Sequence, residues 1–361
     1  MANVIASPRI SRLLERMSDA GLAGLLVTNP VNLRYLLGQP DASGGAYLIC
    51  PDRRVAVINR SGSLREPSTF DVDPREPADL LSALRALDYY AGTVGYDDMH
   101  LSVGDLAALR DVVGDRVTFC PAPGVVEALR EVKDSAELLR IAEAARLTDA
   151  VFEHLAELPW AGKTEAEMAN TAETTMLALG ADGPAFPTIV AAPPRSALVH
   201  AEPTANVMSP GLLVLVEVGA RLDGYASDCA RMFAIGSPAP ELLEIYSVVR
   251  EAQRIASKRI GPGVEASAVD LVAREALGAA GLGDFFRHGL GHGVGIEIDE
   301  APCLSQHLPG NTLAHGNVVT VESGVYVPAC YGVRIVDLVA VTTDGRSVLS
   351  SFPRDAPIAV A

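Results

Sequence analysis

The chain has 361 residues, enough for two domains with a large buried core, and about half of them are apolar. Its net charge of −16 argues against nucleic acid as a partner, since phosphate binding needs a cationic surface. No apolar run approaches the roughly 20 residues that span a bilayer, and the first sixteen residues lack the apolar core of a signal peptide.

In chain order, Ile10, Leu13, Leu14 and Met17 recur at helical spacing over 9–20, and Gly21 ends that helix. Short β-like runs follow at 24–28, 46–50 and 55–59, with Asn29-Pro30 and Pro51-Asp52 as turns between them. A helix is expected at 78–87 and a strand at 93–96. Alternating helices and short strands imply an α/β layer of about 120 residues.

Pro121-Ala122-Pro123-Gly124 is the clearest break, which places domains at 1–125 and 126–361. Beyond it, Leu138, Ile141, Ala145 and Thr148 mark a long helix, with Asp134 or Ser135 as N-cap and Glu137 in its first turn. Further helices are expected at 165–179, 240–260 and 266–280. Strands are expected at 212–218, 224–233, 291–298, 318–321 and 334–341. Helices on one face of a curved, mainly antiparallel sheet make this half α+β. Five scattered cysteines (Cys50, Cys120, Cys229, Cys303, Cys330) show no metal-type spacing and point to reduced thiols, hence a cytoplasmic location.

The strand-rich half carries the chemistry. The apolar run 212–216 ends in Glu217, and burying an unpaired carboxylate there is costly without a purpose. Asp228 follows at a distance suited to a hairpin that sets the two acids side by side. Between 289 and 295 every second residue is glycine. That period of two suggests an extended segment with one bare face, open to close approach of backbone or ligand, rather than a phosphate loop. It presents His292. The run 318–321 delivers Glu322. Three carboxylates and one imidazole on strands suit a divalent cation or a set of general acids and bases.

The order Glu217, Asp228, Gly291-His292-Gly293-Val294-Gly295-Ile296-Glu297, Val321-Glu322-Ser323-Gly324-Val325-Tyr326 and Gly332-Val333-Arg334-Ile335 resembles the prolidase and aminopeptidase P branch of the pita-bread family. Pro187-Thr188-Ile189-Val190 and the stretch from Arg195 to His200 match it too, and residues 24–36 resemble its creatinase-type N-terminal domain. The resemblance implies an α+β C-terminal pita-bread fold behind an N-terminal α/β creatinase-like domain. It also implies a homodimer acting on a small molecule or short peptide, with neither nucleic acid nor membrane as partner.

Metal-dependent members hold two ions on Asp, Asp, His, Glu and Glu. Here Glu217 stands for the first Asp, Asp228, His292 and Glu322 are retained, and the bridging Glu falls on Val336. Neighbouring Asp337 should face the other side of its strand. Asp299 replaces the family's catalytic histidine, while the substrate-side His200 and Arg334 are kept.

The leading expectation is therefore an enzyme acting on a C–N or peptide-like bond without the dinuclear centre and without a cofactor, for which creatinase is the family precedent. In it His292, Glu322, Glu217 and Asp228 are catalytic, and His200, Arg334 and Asp299 bind substrate. One alternative is an Xaa-Pro dipeptidase using a single Mn²⁺, Co²⁺ or Zn²⁺ on Asp228, His292 and Glu322. Another is an inactive binding or scaffold homologue.

Overall fold

The computed structural model describes residues 8–38, 46–51, 54–57 and 92–361. The helix expected at 78–87 lies outside them. Contacts divide the chain into Met1–Arg130 and Glu131–Ala361. The cut falls after Arg130 rather than at 125/126 because residues 127–130 bond into the first unit. Arg130 Nη1 donates to Asn32 Oδ1 at 2.8 Å, and the Tyr35 hydroxyl donates to the Leu129 carbonyl.

In the first unit a helix, Pro8–Asp19, precedes a five-stranded sheet. Its strands are β1 (Gly24–Val27), β2 (Ala46–Ile49), β3 (Arg54–Val57), β4 (Gly92–Tyr96) and β5 (Val117–Pro121), in the order β3-β2-β1-β4-β5. Among the described residues of this unit, helices Pro30–Leu37 and Val103–Val113 and the single turn Glu127–Arg130 escaped the sequence reading. Asn29-Pro30, read as a turn, instead starts helix Pro30–Leu37: the Asn29 side chain accepts from Val31 N, and Pro30 fills the first-turn position whose missing N–H costs nothing. Helix Val103–Val113 is capped by Ser102, whose hydroxyl accepts from Asp105 N.

The second unit opens with helix Ser135–Ala156, closed at its start by a reciprocal capping box between Asp134 and Glu137. After helix Glu165–Ala178 come β6 (Gly183–Pro184), β7 (Ile189–Ala191), β8 (Leu213–Val218), β9 (Ala220–Leu222), β10 (Tyr225–Ala226) and β11 (Cys229–Ile235). Helices Pro240–Arg259 and Ala266–Ala279 precede β12 (Gly291–Gly293), β13 (Glu300–Leu304), β14 (Val318–Val327), β15 (Tyr331–Thr342), β16 (Gly345–Val348) and β17 (Ile358–Val360). Strands β13-β12-β14-β15-β11-β8-β7 run side by side in the main sheet, and β6, β9 and β10 form a small one.

The first helix pair buries Val151, Phe152 and Met168 against Val214, Val216 and Phe233. The second buries Val249, Ala252 and Val269 against Val319, Val321 and Val339. Alternation along each strand leaves the opposite face for Glu217, Ala230, Glu322 and Val336.

The strand expected at 291–298 is cut to three residues. A Cβ at Gly291 would overlap the Thr320 carbonyl, and one at Gly293 the Ala301 carbonyl. The bare face thus serves backbone approach, wedging β12 between β13 and β14. Residues 294–299 then turn away, with the Glu300 carboxylate standing where a Cβ on Gly295 would be. The strand expected at 224–233 likewise breaks at Ser227-Asp228, which frees Asp228 from the ladder.

Candidate active site

Cross-strand register explains how the acids come together. Glu217 on β8 faces Ala230 on β11, Ala230 faces Val336 on β15, and Val336 faces Glu322 on β14. Residues directly paired share a face, so these four form one row across the sheet. Asp228 lies two residues before Ala230, and Arg334 two before Val336, on the same face.

His292 is aimed by its backbone and its ring. Its N–H donates to Thr320 Oγ1 at 3.0 Å, and Nδ1 stands 3.1 Å from the Gly293 carbonyl. A carbonyl can only accept, so Nδ1 carries a proton and Nε2 is turned inward. There Nε2 lies 3.0 Å from Glu322 Oε1 and 4.0 Å from Asp228 Oδ2. Asp228, His292 and Glu322 offer one ligand atom each, all within 4.8 Å of one another. Asp228 Oδ1 is buried and accepts no hydrogen bond among the described residues, while Glu322 Oε1 faces His292 Nε2. Two buried carboxyl groups beside a ring nitrogen aimed inward form a donor set that, once deprotonated, fits one divalent cation.

Without a cation, the cluster settles its charge among its own groups. Burial pushes Asp228 well above the usual carboxylate range, helped by the charges of Glu217 and Glu322. Burial also lifts Glu217 to about 7, against the pull of Arg334. Burial would lower the His292 ring, but Glu322 and then Asp228 and Asp299 outweigh it and drive it to about 10. Glu322 is taken down to about 2, its burial overcome by His292, His288 and Arg334.

Asp228→Asn should therefore separate stability from function. An acid whose folded pKa is raised favours folding below its unfolded pKa of about 4 and loses that advantage as pH rises. The variant is expected to melt a few degrees higher than the parent in EDTA at pH 8, to show no such gain at pH 4, and to bind Mn²⁺ at least about tenfold more weakly. Equal melting temperatures at pH 8 would count against the raised pKa of Asp228.

Arg334, expected to bind substrate, has a side chain only 3% exposed and committed inside the protein. Nη1 pairs with Glu217 Oε2, Nη2 donates to the Val199 carbonyl, and Nε donates to the Tyr326 hydroxyl at 2.6 Å. Glu217 accordingly pairs with Arg334, while its charge still reaches Asp228. His200 is exposed, on a segment tied down by the buried Glu165 carboxylate, which accepts from Ala192 N at 2.9 Å and Thr204 N at 3.0 Å. Asp299 is exposed as well, and its charge reaches His292.

Val336 is fully buried, and its carbonyl accepts from Arg231 Nη1 at 2.7 Å. Asp337 points to the other side of β15, where Arg231, Gln253 and Arg354 hold it.

Sequence reasoning passed over His288 and Tyr326 as functional groups. The Tyr326 hydroxyl accepts from Arg334 Nε and lies 2.8 Å from His288 Nε2. His288 Nδ1 must donate to the Gly289 carbonyl, 2.7 Å away, so Nε2 of the neutral ring accepts the tyrosine proton. Burial lowers the His288 pKa and keeps the ring in that form. The available signal was spacing: Tyr326 follows Glu322 by four residues and so shares its strand face.

Residues 140–343 match metallopeptidase family M24, and residues 9–132 match the creatinase/prolidase N-terminal domain. An Xaa-Pro dipeptidase of Pyrococcus furiosus is 32% identical over 352 residues, covering 96% of this chain and 99% of that protein. Among solved structures, an Xaa-Pro dipeptidase from Bacillus anthracis is 31% identical with a TM-score of 0.90, covering 97% of this chain and 98% of that one. A prolidase from Pyrococcus horikoshii is 29% identical with a TM-score of 0.88, covering 97% and 100%. With both of its units matched in order, the chain belongs to metallopeptidase family M24 and carries that family's creatinase/prolidase N-terminal domain.

Proposed function

We propose that this chain is a cation-assisted hydrolase of a short peptide-like substrate, of the Xaa-Pro dipeptide class. The observation that carries this reading is the convergence of Asp228, His292 and Glu322, with the buried Asp228 Oδ1 left unpartnered among the described residues. A scaffold protein has no need to maintain that arrangement, since such an oxygen costs desolvation energy. The relatives named Xaa-Pro dipeptidase supply the substrate class.

A divalent cation bound there would supply Lewis acidity toward a carbonyl and a more acidic water. The chain's own residues do the rest. Asp228, His292 and Glu322 fix the ligand set, and the Gly293 carbonyl holds the imidazole in one tautomer. His200, exposed on its anchored segment, is assigned in this reading to orient substrate. Asp299 adds an anionic group whose charge reaches His292.

A second reading, metal-free acid–base catalysis, draws on the split acidities of Asp228 and Glu322, one tending to be neutral and the other ionised. One assay separates the two. Protein stripped with EDTA and desalted is mixed with Xaa-Pro dipeptides, with and without Mn²⁺ or Co²⁺. The proposal expects activity to rise at least about tenfold on adding metal. Full activity in EDTA would transfer the assignment to the metal-free reading, and no turnover in either condition would overturn both.

A further inference from the structure

We propose that Arg334 serves as a built-in cation for Glu217, so that the site takes one divalent ion, on Asp228, His292 and Glu322, and has no place for a second. This rests on the cation-assisted reading and concerns how many ions the site holds.

The sheet register supplies the first reason. Along the row Glu217, Ala230, Val336, Glu322, the two acids stand at opposite ends with two apolar residues between them. Adjacent strands lie about 4.8 Å apart, so three strand steps separate the backbones of Glu217 and Glu322. Two cations side by side there would need a shared carboxylate from the middle of the row. Val336 offers none, and Asp337, the next acid on β15, is occupied on the other face by Arg231, Gln253 and Arg354.

The second reason is the use to which Glu217 is put. Its Oε2 is in contact with Arg334 Nη1, and both side chains are almost fully buried. Arg334 cannot swing away easily, because Nε is held by Tyr326 and Nη2 by the Val199 carbonyl. Tyr326 is itself held by His288, so a chain of three hydrogen-bonded side chains aims the guanidinium. Gly324, which faces Arg334 across the ladder, leaves room for this, since a Cβ there would come within 2.7 Å of the Tyr326 hydroxyl.

Charge balance is the third. One guanidinium cancels one of the three buried carboxylates. Once a cation displaces the protons of its ligands, two carboxylates and a neutral imidazole match the charge of a single divalent ion. A second ion would share the cavity with a fixed positive group and lack an anion of its own, an arrangement heavily penalised at low dielectric.

The test uses full-length protein stripped with EDTA, desalted and titrated with Mn²⁺ by calorimetry and electron paramagnetic resonance. One equivalent and an uncoupled six-line spectrum are expected. Two equivalents, an exchange-coupled spectrum, or no binding would each overturn the inference. The double variant Glu217→Gln with Arg334→Met removes both partners and leaves the net charge beside the cation unchanged. It should still bind one equivalent, with Kd within about threefold of the parent, whereas a loss beyond about tenfold would make Glu217 a ligand and overturn the inference. Dipeptide turnover in the same samples keeps the two proposals apart. Two equivalents with metal-stimulated turnover leave the enzymatic reading standing, and one equivalent without turnover does the reverse.

Discussion

Replacing His292 by alanine is expected to lower kcat/KM on Xaa-Pro dipeptides at least about a thousandfold, roughly 4 kcal/mol of transition-state stabilisation. The expectation follows from how much converges on that one ring. Nε2 lies 3.0 Å from Glu322 and 4.0 Å from Asp228, and it is the sole nitrogen donor among the described groups that could hold a cation. Without it, two buried carboxylates face each other with no neutral ligand between them. Mn²⁺ affinity should fall with activity, and calorimetry on the folded variant checks that half of the claim. His200→Ala is the contrast: an exposed side chain that orients substrate should raise KM more than it lowers kcat. Wild-type turnover by His292→Ala would remove the imidazole from the mechanism.

Much of this site was legible in the sequence because strands announce their ends. The run 212–216 is apolar on both faces, so Glu217 stood out as a carboxylate carried into a core, and it is indeed 4% exposed. Alternate glycines likewise gave away a segment pressed between neighbours, although they did not show that the neighbours are the carbonyls of Thr320 and Ala301.

What could not be read is what register and long-range bonding decide. Arg334 looks like a substrate clamp in the chain, yet its partner Glu217 lies 117 residues away. No periodicity encodes that pairing. The row that isolates Val336 between Ala230 and Glu322 requires the ladder itself. Helix Pro30–Leu37 was missed for a local reason, because Asn-Pro signals a turn and a helix start equally well until the side-chain cap is seen.

The second large effect is expected behind the site, at Asp337. This carboxylate is fully buried and accepts from Arg231 Nη2 at 2.9 Å and Gln253 Nε2 at 2.7 Å, with Arg354 Nε at 2.9 Å. Arg231 is equally buried, and its remaining N–H groups donate to the carbonyls of Ala230, Val336, Phe352 and Pro353. The cluster therefore clamps β11 to β15 at the middle of the row that carries the site. Asp337→Ala strands the Arg231 charge inside the protein, a change that costs about 3–5 kcal/mol where one partner of a buried pair is removed. For a unit of this size the melting temperature should fall on the order of 10 °C. Asp337→Asn keeps the shape and one acceptor oxygen, so it should lose less than the alanine variant while remaining below the parent. If the alanine variant melted with the parent, Arg231 would have to find another anion. The same clamp carries a functional consequence, since the Val336 carbonyl is one of its anchors. Loosening it should let β15 shift relative to β14 and weaken Mn²⁺ binding at Glu322, even though Asp337 points away from the ion.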